Sequence, residues 1–350
     1  MILPSNPPPQ GEGPGWSRWH ERLHRHLRRH PGLLPAGTPL LLAVSGGQDS
    51  MVLTALLADL RRLHGWRLEL WHGNHGWRPE ASEQAAELAA WWATRGLVLH
   101  QQRAEPPPQG EAAARHWRYR QLETMAQDLA CPVVVTGHTA SDRAETVLLN
   151  LARGSHRRGL ASLAERRALG SGQQQLVRPL LIFTRMETAR ICRELQLPVW
   201  PDASNDSPHF QRNRVRSEVL PVLEALHPGA ARRISAMAGR LADEIDAGRE
   251  LLDLAIRPLE DGDDLRLDAL LALEPGNRRA LLQHWLEARL GAPLAAQPLE
   301  RLLTSLDGAA GSGRWDLGAG RWLVWSGRRL TLMPAEGRGR QAGGQLPAGP

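Results

Sequence analysis

The segment LLLAVSGGQDS at residues 40–50 limits the possible folds of this chain more than any other stretch. Its apolar part, Leu40 to Val44, is typical of a strand buried on both faces of a parallel sheet. Two adjacent glycines, Gly46 and Gly47, then let the backbone turn tightly, and the pattern from Met51 to Leu63 predicts a helix. Because free N–H groups at a helix N-terminus attract anions, this arrangement predicts a cradle for phosphate or pyrophosphate.

The turn differs from two better-known phosphate loops. A Walker loop places a lysine directly after its last glycine, whereas this chain contains no lysine and its 43 basic residues are all arginines. The turn also lacks the G-x-G-x-x-G spacing of dinucleotide-binding folds. The sequence SGGxDS resembles instead the signature of the PP-loop ATP pyrophosphatases, which split ATP into AMP and pyrophosphate while adenylating a substrate. A tight strand-to-helix turn without a ligand is the alternative.

Charge and cysteine content indicate the class of partner and the compartment. The net charge of +6 favours a polyanionic partner, although a solvated arginine surface would give the same balance. The two cysteines, Cys131 and Cys192, form no C-x-x-C pair, so neither a zinc knuckle nor a cysteine-ligated cluster is supported. No segment is typical of a signal peptide or a membrane span. We therefore expect a cytoplasmic protein without a membrane contact.

The length of the chain predicts two folded domains, since domains average about 150 residues. We expect an α/β catalytic domain over 16–220, with a doubly wound, mostly parallel sheet of the PP-loop ATPase (adenine nucleotide α-hydrolase-like) type. A smaller α+β domain that contacts tRNA is expected over 255–334, after a helical linker at 221–254. The Pro- and Gly-rich ends, 1–15 and 335–350, are typical of disordered tails.

Polar clusters follow the predicted strands of the first domain. Strands alternating with helices are expected at 40–44, 67–73, 97–100 and 133–136. A polar cluster lies at the end of three of these strands, at 45–50, 72–78 and 137–145. Because ligands of parallel sheets bind at the carboxyl ends of strands, we expect these clusters to form one shared site.

Other segments lack such clear signals. Residues 153–175 predict a long mobile loop over the site, followed by an extended segment at 177–181. Trp16 to His30 predicts a basic amphipathic helix, which either packs on the domain edge or contacts nucleic acid through Arg22, Arg25, Arg28 and Arg29. In the smaller domain we expect helices around 267–290 and 298–306, then strands at 313–317 and 321–332.

Two groups of side chains are candidates for ligand binding. His72, Asn74 and His75 follow a strand, where a nucleotide or base contact is expected ahead of metal ligation or plain loop packing. Asp142 and Glu145 lie three residues apart on one helix face and could bind Mg²⁺, an ammonium group or both. A solvated helix N-terminus would also favour acids there. Arg115 and Arg118 suit a carboxylate or phosphate, with a solvent face as the alternative.

Further motifs make the resemblance specific. HGNHGWR, ARHWRY, TGHTASDRAET, RGSHRRGL, RPLL and PDASNDSPHFQRNRVR follow in the order and approximate spacing of the bacterial tRNA(Ile)-lysidine synthetases. The match covers about residues 40–220, and the chain resembles the short form of this family. The resemblance implies that ATP and L-lysine are consumed to convert the wobble cytidine of the CAU-anticodon tRNA(Ile) into lysidine. An adenylated cytidine is the implied intermediate, and AMP and pyrophosphate are released.

The resemblance also implies roles for individual residues. ATP would be bound by Ser45, Gly46, Gly47, Gln48, Asp49, Ser50, His72, Asn74 and His75. Asp49 would also position Mg²⁺. The catalytic group would be Asp49, Arg115, His138, Asp142 and Glu145, of which Arg115, Asp142 and Glu145 would bind L-lysine. The tRNA would contact Arg153, Arg157, Arg158, Arg212, Asn213, Arg214 and Arg216. The oligomeric state is left open, with a homodimer as one option.

Three positions depart from the family pattern. Thr139, Ser141 and Arg143 stand where a His, an Asp and a Gln are usual. If the missing imidazole or carboxylate is essential elsewhere in the family, the site here differs or its activity is reduced. The alternatives are a 2-thiocytidine synthetase-like enzyme, a PP-loop ligase for a small metabolite and an inactive tRNA-binding homologue. The first relies on extra cysteines that this chain lacks, and the basic balance counts against the second.

Overall fold

The computed structural model describes residues 16–170, 172–200, 211–307 and 311–333. These residues divide into two compact units, which meet in sequence between Asp243 and Glu244. This boundary falls inside the segment predicted as a helical linker. The predicted tails and the first ten residues of the PDASNDSPHFQRNRVR motif lie outside the described residues.

The first unit is built on one sheet of six strands. Their bounds are Pro39–Ala43 (β1), Arg67–Asn74 (β2), Leu99–Arg103 (β3), Val133–Val135 (β4), Arg166–Leu169 (β5) and Gln174–Val177 (β6). The strand order is β3-β2-β1-β4-β6-β5, and among these strands only β5 runs antiparallel to its neighbour. The predicted, mostly parallel sheet is therefore confirmed. The carboxyl ends of β1, β2 and β4 lie side by side.

Helices precede, connect and follow these strands, and the last of them crosses the boundary into the second unit. Their bounds are Arg18–Arg29 (α1), Gln48–His64 (α2), Ala81–Ala93 (α3), Gly110–Asp128 (α4), Ala140–Ala152 (α5), Arg157–Leu160 (α6), Arg185–Glu194 (α7), Gln211–Arg214 (α8), Leu220–Leu226 (α9) and Ala230–Ile256 (α10). A 3₁₀ turn at Pro179–Ile182 and a π-helical stretch at Val215–Val219 connect some of them. No described helix is both long and apolar enough to cross a membrane.

The central strand β1 shows why the apolar run folds as predicted. Leu40 and Leu42 lie in one apolar core and Leu41 in another, and all three are fully buried. Alternate side chains of a strand point to opposite faces, so a continuous apolar run requires a sheet that is covered on both faces. The helix after β1 ends at Gly65, whose φ of +70° suits glycine at a helix C-terminus.

The predicted loop at 153–175 is wrong in part. The structure has helix α6, strand β5 and the start of β6 within it. The side chains of β5 are exposed except that of Leu169, so this edge strand has no apolar alternation by which its sequence could reveal it. The predicted extended segment at 177–181 is wrong beyond its first residue, because the chain turns at Pro179–Ile182.

Glu187 on α7 connects three helices of the first unit. Its carboxylate lies 2.7 Å from Arg22 Nη1 on α1 and 2.8 Å from Arg232 Nη2 on α10, and it accepts a hydrogen bond from the backbone N–H of Thr184. Burial alone would raise the pKa of Glu187, but these donors outweigh it and hold the pKa below its ordinary value. Folding therefore favours the ionised carboxylate.

The Glu187→Gln variant is expected to lose about 1–3 kcal/mol of unfolding free energy at pH 7, because it weakens a charged contact at a largely buried position. The carboxylate stabilises the fold above its unfolded pKa, and this contribution is lost as pH falls through the lowered folded pKa. Denaturant unfolding of both proteins between pH 7 and pH 3 measures the difference, which should shrink below about pH 4. Glu194→Gln on the same helix is the control, since that carboxylate is more exposed and should show a smaller change. A difference that stays constant with pH would contradict the role of the charge.

The second unit has its own core and an antiparallel sheet. Its strands are Glu260–Asp261 (β7), Asp264–Arg266 (β8), Gly313–Gly318 (β9), Arg321–Ser326 (β10) and Arg329–Met333 (β11), in the order β7-β8-β11-β10-β9. Its further helices are Leu267–Leu271 (α11), Pro275–Leu290 (α12) and Ala296–Asp307 (α13). The single strand predicted over 321–332 is wrong, because Gly327 with a φ of +59° turns it into a hairpin.

Candidate active site

The glycine turn lies between β1 and α2, as the sequence predicts. Gly46 has a φ of +82°, which only glycine adopts readily, and α2 begins one residue after Gly47. The Ser50 hydroxyl accepts from the Ser45 N–H at 3.1 Å and donates to the Gly47 carbonyl at 2.8 Å. These contacts close the turn on itself, and the Gly47 N–H also donates within it, to the Ser45 hydroxyl at 3.3 Å. The first N–H groups of α2 have no partner within the helix, as an anion cradle requires.

Gly137 brings the end of β4 against this turn. A Cβ atom at Gly137 would lie 3.0 Å from the carbonyl carbon and oxygen of Asp49 and 3.1 Å from the Ser50 nitrogen. Any side chain there would push on the backbone of the first turn of α2. Glycine at this position therefore allows the second polar cluster, which follows β4, to approach the glycine turn.

Asp49 is held by residues that lie far away in the sequence. Its two carboxylate oxygens accept hydrogen bonds from the Thr188 hydroxyl and from Arg185 Nη1, the latter at 3.2 Å. The Gln48 amide donates to the Thr188 hydroxyl and to the Arg185 carbonyl. Burial and the charge of Asp142 raise the pKa of Asp49 to about 6, although Thr188 and Arg185 act in the opposite direction. Helix α7 thus fixes the orientation of Asp49.

The acidic pair at the start of α5 forms a second group. Asp142 caps its own helix by accepting from the Thr139 N–H and hydroxyl, and the Glu145 side chain is almost fully buried. Arg212 lies 2.8 Å from both carboxylates, and Arg216 lies 2.7 Å from Glu145 and 3.6 Å from Asp142. Burial would raise the pKa of Asp142, but Arg212 in particular holds it below its ordinary value. These two acids and two arginines form a compensated, partly buried ion cluster.

The two groups lie close together, because Arg185 donates from its backbone N–H to Ser141 at the start of α5 and from its Nη1 to Asp49 at 3.2 Å. The charge of Asp142 raises the pKa of Asp49, and the charges of both carboxylates raise the pKa of Arg216. Burial lowers the pKa of His138 to about 3, and the arginine charges, Arg115 among them, act in the same direction. His138 is therefore neutral at pH 7, and its Nδ1 lies 2.9 Å from the Thr136 hydroxyl. The acids and the glycine turn thus meet at the same edge of the sheet, as their positions after the strands predict.

A PP-loop domain family matches residues 21–223 of the chain. A curated tRNA(Ile)-lysidine synthase from Parasynechococcus marenigrum (strain WH8102) is 50% identical over 326 residues, which cover 91% of this chain and 96% of that protein. The chain belongs to the tRNA(Ile)-lysidine synthase family. A second relative of that name, from Prochlorococcus marinus, is 41% identical over 310 residues and covers 86% of this chain and 92% of its own length.

A solved structure supports the fold of this family member. The U34-tRNA thiolase NcsA from Methanococcus maripaludis superposes with a TM-score of 0.54 over 64% of this chain and 78% of that chain. Its sequence identity of 19% makes this a likeness of fold alone. Together these matches confirm the predicted family, its enzyme class and the PP-loop fold, and they support the predicted use of ATP.

The polar cluster at the end of β2 lies beside the glycine turn through His72. His72 Nδ1 is 2.8 Å from the Val44 carbonyl, and burial lowers the His72 pKa. The Asn74 side chain accepts from the Gly76 N–H and donates to Ser82, while His75 contacts Arg118. In the described part of the chain, no group of three or more His, Cys, Asp and Glu residues could hold a metal ion. Nucleotide binding by His72, Asn74 and His75 stays a prediction.

The residues predicted to contact tRNA separate into two sets. Arg212 and Arg216 point at Asp142 and Glu145, as described above. The others lie nearer the surface: Arg153 donates to Gln211, Arg214 pairs with Glu218, and Arg157 and Arg158 lie on α6. Asn213 lies beside them on α8. Contact of either set with tRNA stays a prediction.

The three departures from the family pattern have structural roles here. Thr139 is the N-cap of α5, where a threonine hydroxyl accepts from the Asp142 N–H. The Ser141 hydroxyl accepts from the Arg185 N–H at 3.1 Å, which joins α5 to α7. Arg143 is buried and donates to the backbone carbonyls of Leu163 and Ser235. Each substitution therefore supports the position of α5, on which the acidic pair lies.

Sequence reasoning missed the residues that orient Asp49. Thr188 lies 139 residues beyond Asp49. It is buried in α7, and the sequence pattern of that helix predicts only a residue packed in the core. Arg185 follows a helix N-cap, where nothing in the local sequence indicates a partner. Of the residues that shape this site, only Gly137 has a sequence signal that could have revealed its role. It follows a short apolar strand and precedes polar residues, as Gly46 does.

Proposed function

We propose that this chain forms lysidine by ligating L-lysine to C2 of the wobble cytidine in the CAU-anticodon tRNA(Ile), with conversion of ATP to AMP and pyrophosphate. Its relatives at 50% and 41% identity carry the name tRNA(Ile)-lysidine synthase. The observation that carries the proposal is the close approach of Gly137, at the end of β4, to the backbone of Asp49 and Ser50, which brings the start of α5 to the glycine turn. It supports one site in which a nucleotide loop and an acidic pocket can serve the same reaction.

In the first step, O2 of the cytosine ring attacks the α-phosphorus of ATP, and the bond to pyrophosphate breaks. The growing charge on pyrophosphate would be bound by the N–H groups of Gly46, Gly47 and Gln48. The hydroxyls of Ser45 and Ser50, which lie 3.1 Å apart, border the same turn. A preorganised cradle of this kind stabilises the leaving group without reorganisation during the reaction.

The chemistry of Asp49 and Asp142 fits the predicted Mg²⁺. This ion prefers carboxylate oxygens and typically uses one or two of them together with substrate phosphates. The charge of Asp142 raises the proton affinity of Asp49, and a bound cation would stabilise the same ionised pair. Asp49 and Asp142 would therefore hold the ion, which would neutralise phosphate charge when bound. The described residues alone do not complete a metal site.

In the second step, the neutral ε-amine of lysine attacks C2, and the C2–O2 bond breaks to release AMP. Asp142 and Glu145 would bind an ammonium group of lysine, and Arg115 its carboxylate. His138 is uncharged at pH 7, but its pKa of about 3 makes it too weak a base to take a proton from the ε-ammonium, so its role would be a hydrogen bond to a substrate. Arg212 and Arg216 already contact both acids, so a lysine ammonium would have to share or replace these contacts.

Incorporation of labelled lysine into a tRNA(Ile) transcript tests the proposal. We expect incorporation that depends on ATP and on a cytidine at the wobble position, with release of one AMP per lysine. A transcript with uridine at that position is the matched control. Binding of ATP and tRNA without incorporation of lysine would favour the inactive homologue.

A further inference from the structure

A basic groove lies on the first unit between α1 and the start of α10. Its volume is about 420 Å³, and Leu181, Ile182 and the side chain of Arg143 line part of it. The same α5 helix carries Asp142 in the active site and Arg143 in the groove, so the groove lies next to the catalytic residues. The proposed ATP and lysine contacts do not use it.

Arginines dominate the lining of this groove. Arg22, Arg25 and Arg29 come from α1, Arg143 from α5 and Arg232 from α10, against Glu165 as the acidic lining residue. Glu21 and Glu187 also pair with lining arginines. Even with these two included, five arginines face three carboxylates. The groove therefore has a net positive charge, which favours an anionic ligand.

Arg143 contributes charge that no contacting carboxylate neutralises. Its guanidinium donates to the carbonyls of Leu163 and Ser235, and it forms no ion pair within the described ranges of the chain. Burial lowers the pKa of Arg143 to about 10, so it remains charged at pH 7. A buried cation acts over a longer range than an exposed one, because less water screens it.

The rim of the groove presents arginines that can reach a ligand. Arg25 and Arg29 are both exposed and lie one helical turn apart on α1. Arg29 forms no ion pair among the described residues, and the pair of Arg25 with Glu21 is exposed and therefore weak. Guanidinium groups spaced along one wall suit a ligand with several phosphates in a row.

We propose that this groove binds the phosphodiester backbone of the substrate tRNA. The inference rests on the proposed function, which supplies a polyanionic substrate close to α5. The contact positions the RNA through its phosphates and reads no base. It adds a binding surface on α1 and α10 that is separate from the arginines at 153–158 and 212–216.

The test compares two double variants of the full chain by their affinity for a tRNA(Ile) transcript. Arg25→Gln with Arg29→Gln removes two charges from the groove. Arg62→Gln with Arg193→Gln removes two exposed charges from the last turns of α2 and α7, away from the groove lining. We expect the groove variant to bind tRNA about fivefold to tenfold more weakly and to lower the slope of log Kd against log salt by about 1.4–1.8. The control should match wild type within about twofold.

Equal affinities and salt slopes for wild type and groove variant would overturn the proposal, as would an equal loss in the control variant. Lysidine formation by the groove variant should show a raised KM for tRNA, since the variant loses phosphate contacts. If wild type binds tRNA but forms no lysidine, the proposed function fails while the binding comparison still decides the groove. Failure of the groove alone would leave lysidine formation by wild type unaffected.

Discussion

Replacing Asp49 with alanine or asparagine is expected to abolish ATP–pyrophosphate exchange in the presence of tRNA(Ile). Asp49 lies in the first turn of the helix that would bind the phosphates, and it is one of the two carboxylates that suit Mg²⁺. Loss of its charge removes the stabilisation of the departing pyrophosphate, and we expect a decrease of at least about 100-fold. Exchange of labelled pyrophosphate into ATP measures the effect directly, without the lysine step.

A melting measurement and a matched control variant distinguish this loss of exchange from misfolding. Because folding raises the pKa of Asp49 to about 6, its ionised form lowers stability, an effect that begins above the unfolded pKa and is complete above about pH 6. The Asp49→Asn variant should therefore melt within a few degrees of wild type. Asp128→Asn, at an exposed position on α4, is the control and should keep full exchange. Exchange retained by Asp49→Asn would remove Asp49 from the mechanism.

Thr188 offers a graded version of the same experiment. Thr188→Val removes the hydroxyl that donates to Asp49 while keeping the side-chain volume. We expect exchange to decrease by roughly tenfold through kcat rather than through the KM for ATP, because the carboxylate is misplaced rather than lost. Thr188→Ser should restore most of the activity. The failure of serine to do so would indicate a packing role for Thr188.

The parts of the fold that sequence predicts are those with a local physical cause. The run Leu40 to Val44 needs a sheet covered on both faces, and Gly46 needs a positive φ, so strand and turn follow from adjacent residues. Strand β5 has no such cause. Its backbone pairs with β6 in an antiparallel register, while its arginine side chains are exposed and give no apolar pattern that would predict this pairing.

The residues of the candidate site show the same difference between local causes, which the sequence reveals, and distant partners, which it does not. Asp49, Asp142 and Glu145 follow strands that the sequence predicts, so their meeting at one edge is foreseeable. The partners of these acids are not, because Thr188 and Arg212 join from helices that are distant in sequence. Arg212 and Arg216 illustrate the difference: an arginine-rich segment suggests a surface for RNA, but two of its side chains turn inward to compensate buried carboxylates.

Glu145→Gln is expected to raise the KM for lysine by at least about tenfold while the KM for ATP stays within about twofold of wild type. The Glu145 side chain is 1% exposed and accepts from Arg212 Nε at 2.8 Å and from Arg216 Nε at 2.7 Å. Without the charge of Glu145, the carboxylate of Asp142 faces the two guanidinium groups alone. The pocket then becomes net positive and disfavours an incoming ammonium, whether or not lysine contacts Glu145 directly.

The same substitution should also lower stability, because breaking a buried ion pair leaves uncompensated charge and typically destabilises by about 3–5 kcal/mol. Kinetics must therefore be measured well below the melting temperature of the variant. Glu218→Gln is the matched control, since Glu218 pairs with Arg214 on the same segment but is exposed, and neither KM should change. Equal increases in the KM values for lysine and ATP would instead assign Glu145 a structural role in holding Arg212 and Arg216. The difference between the two KM values thus decides whether the acidic pair of α5 serves the amino acid.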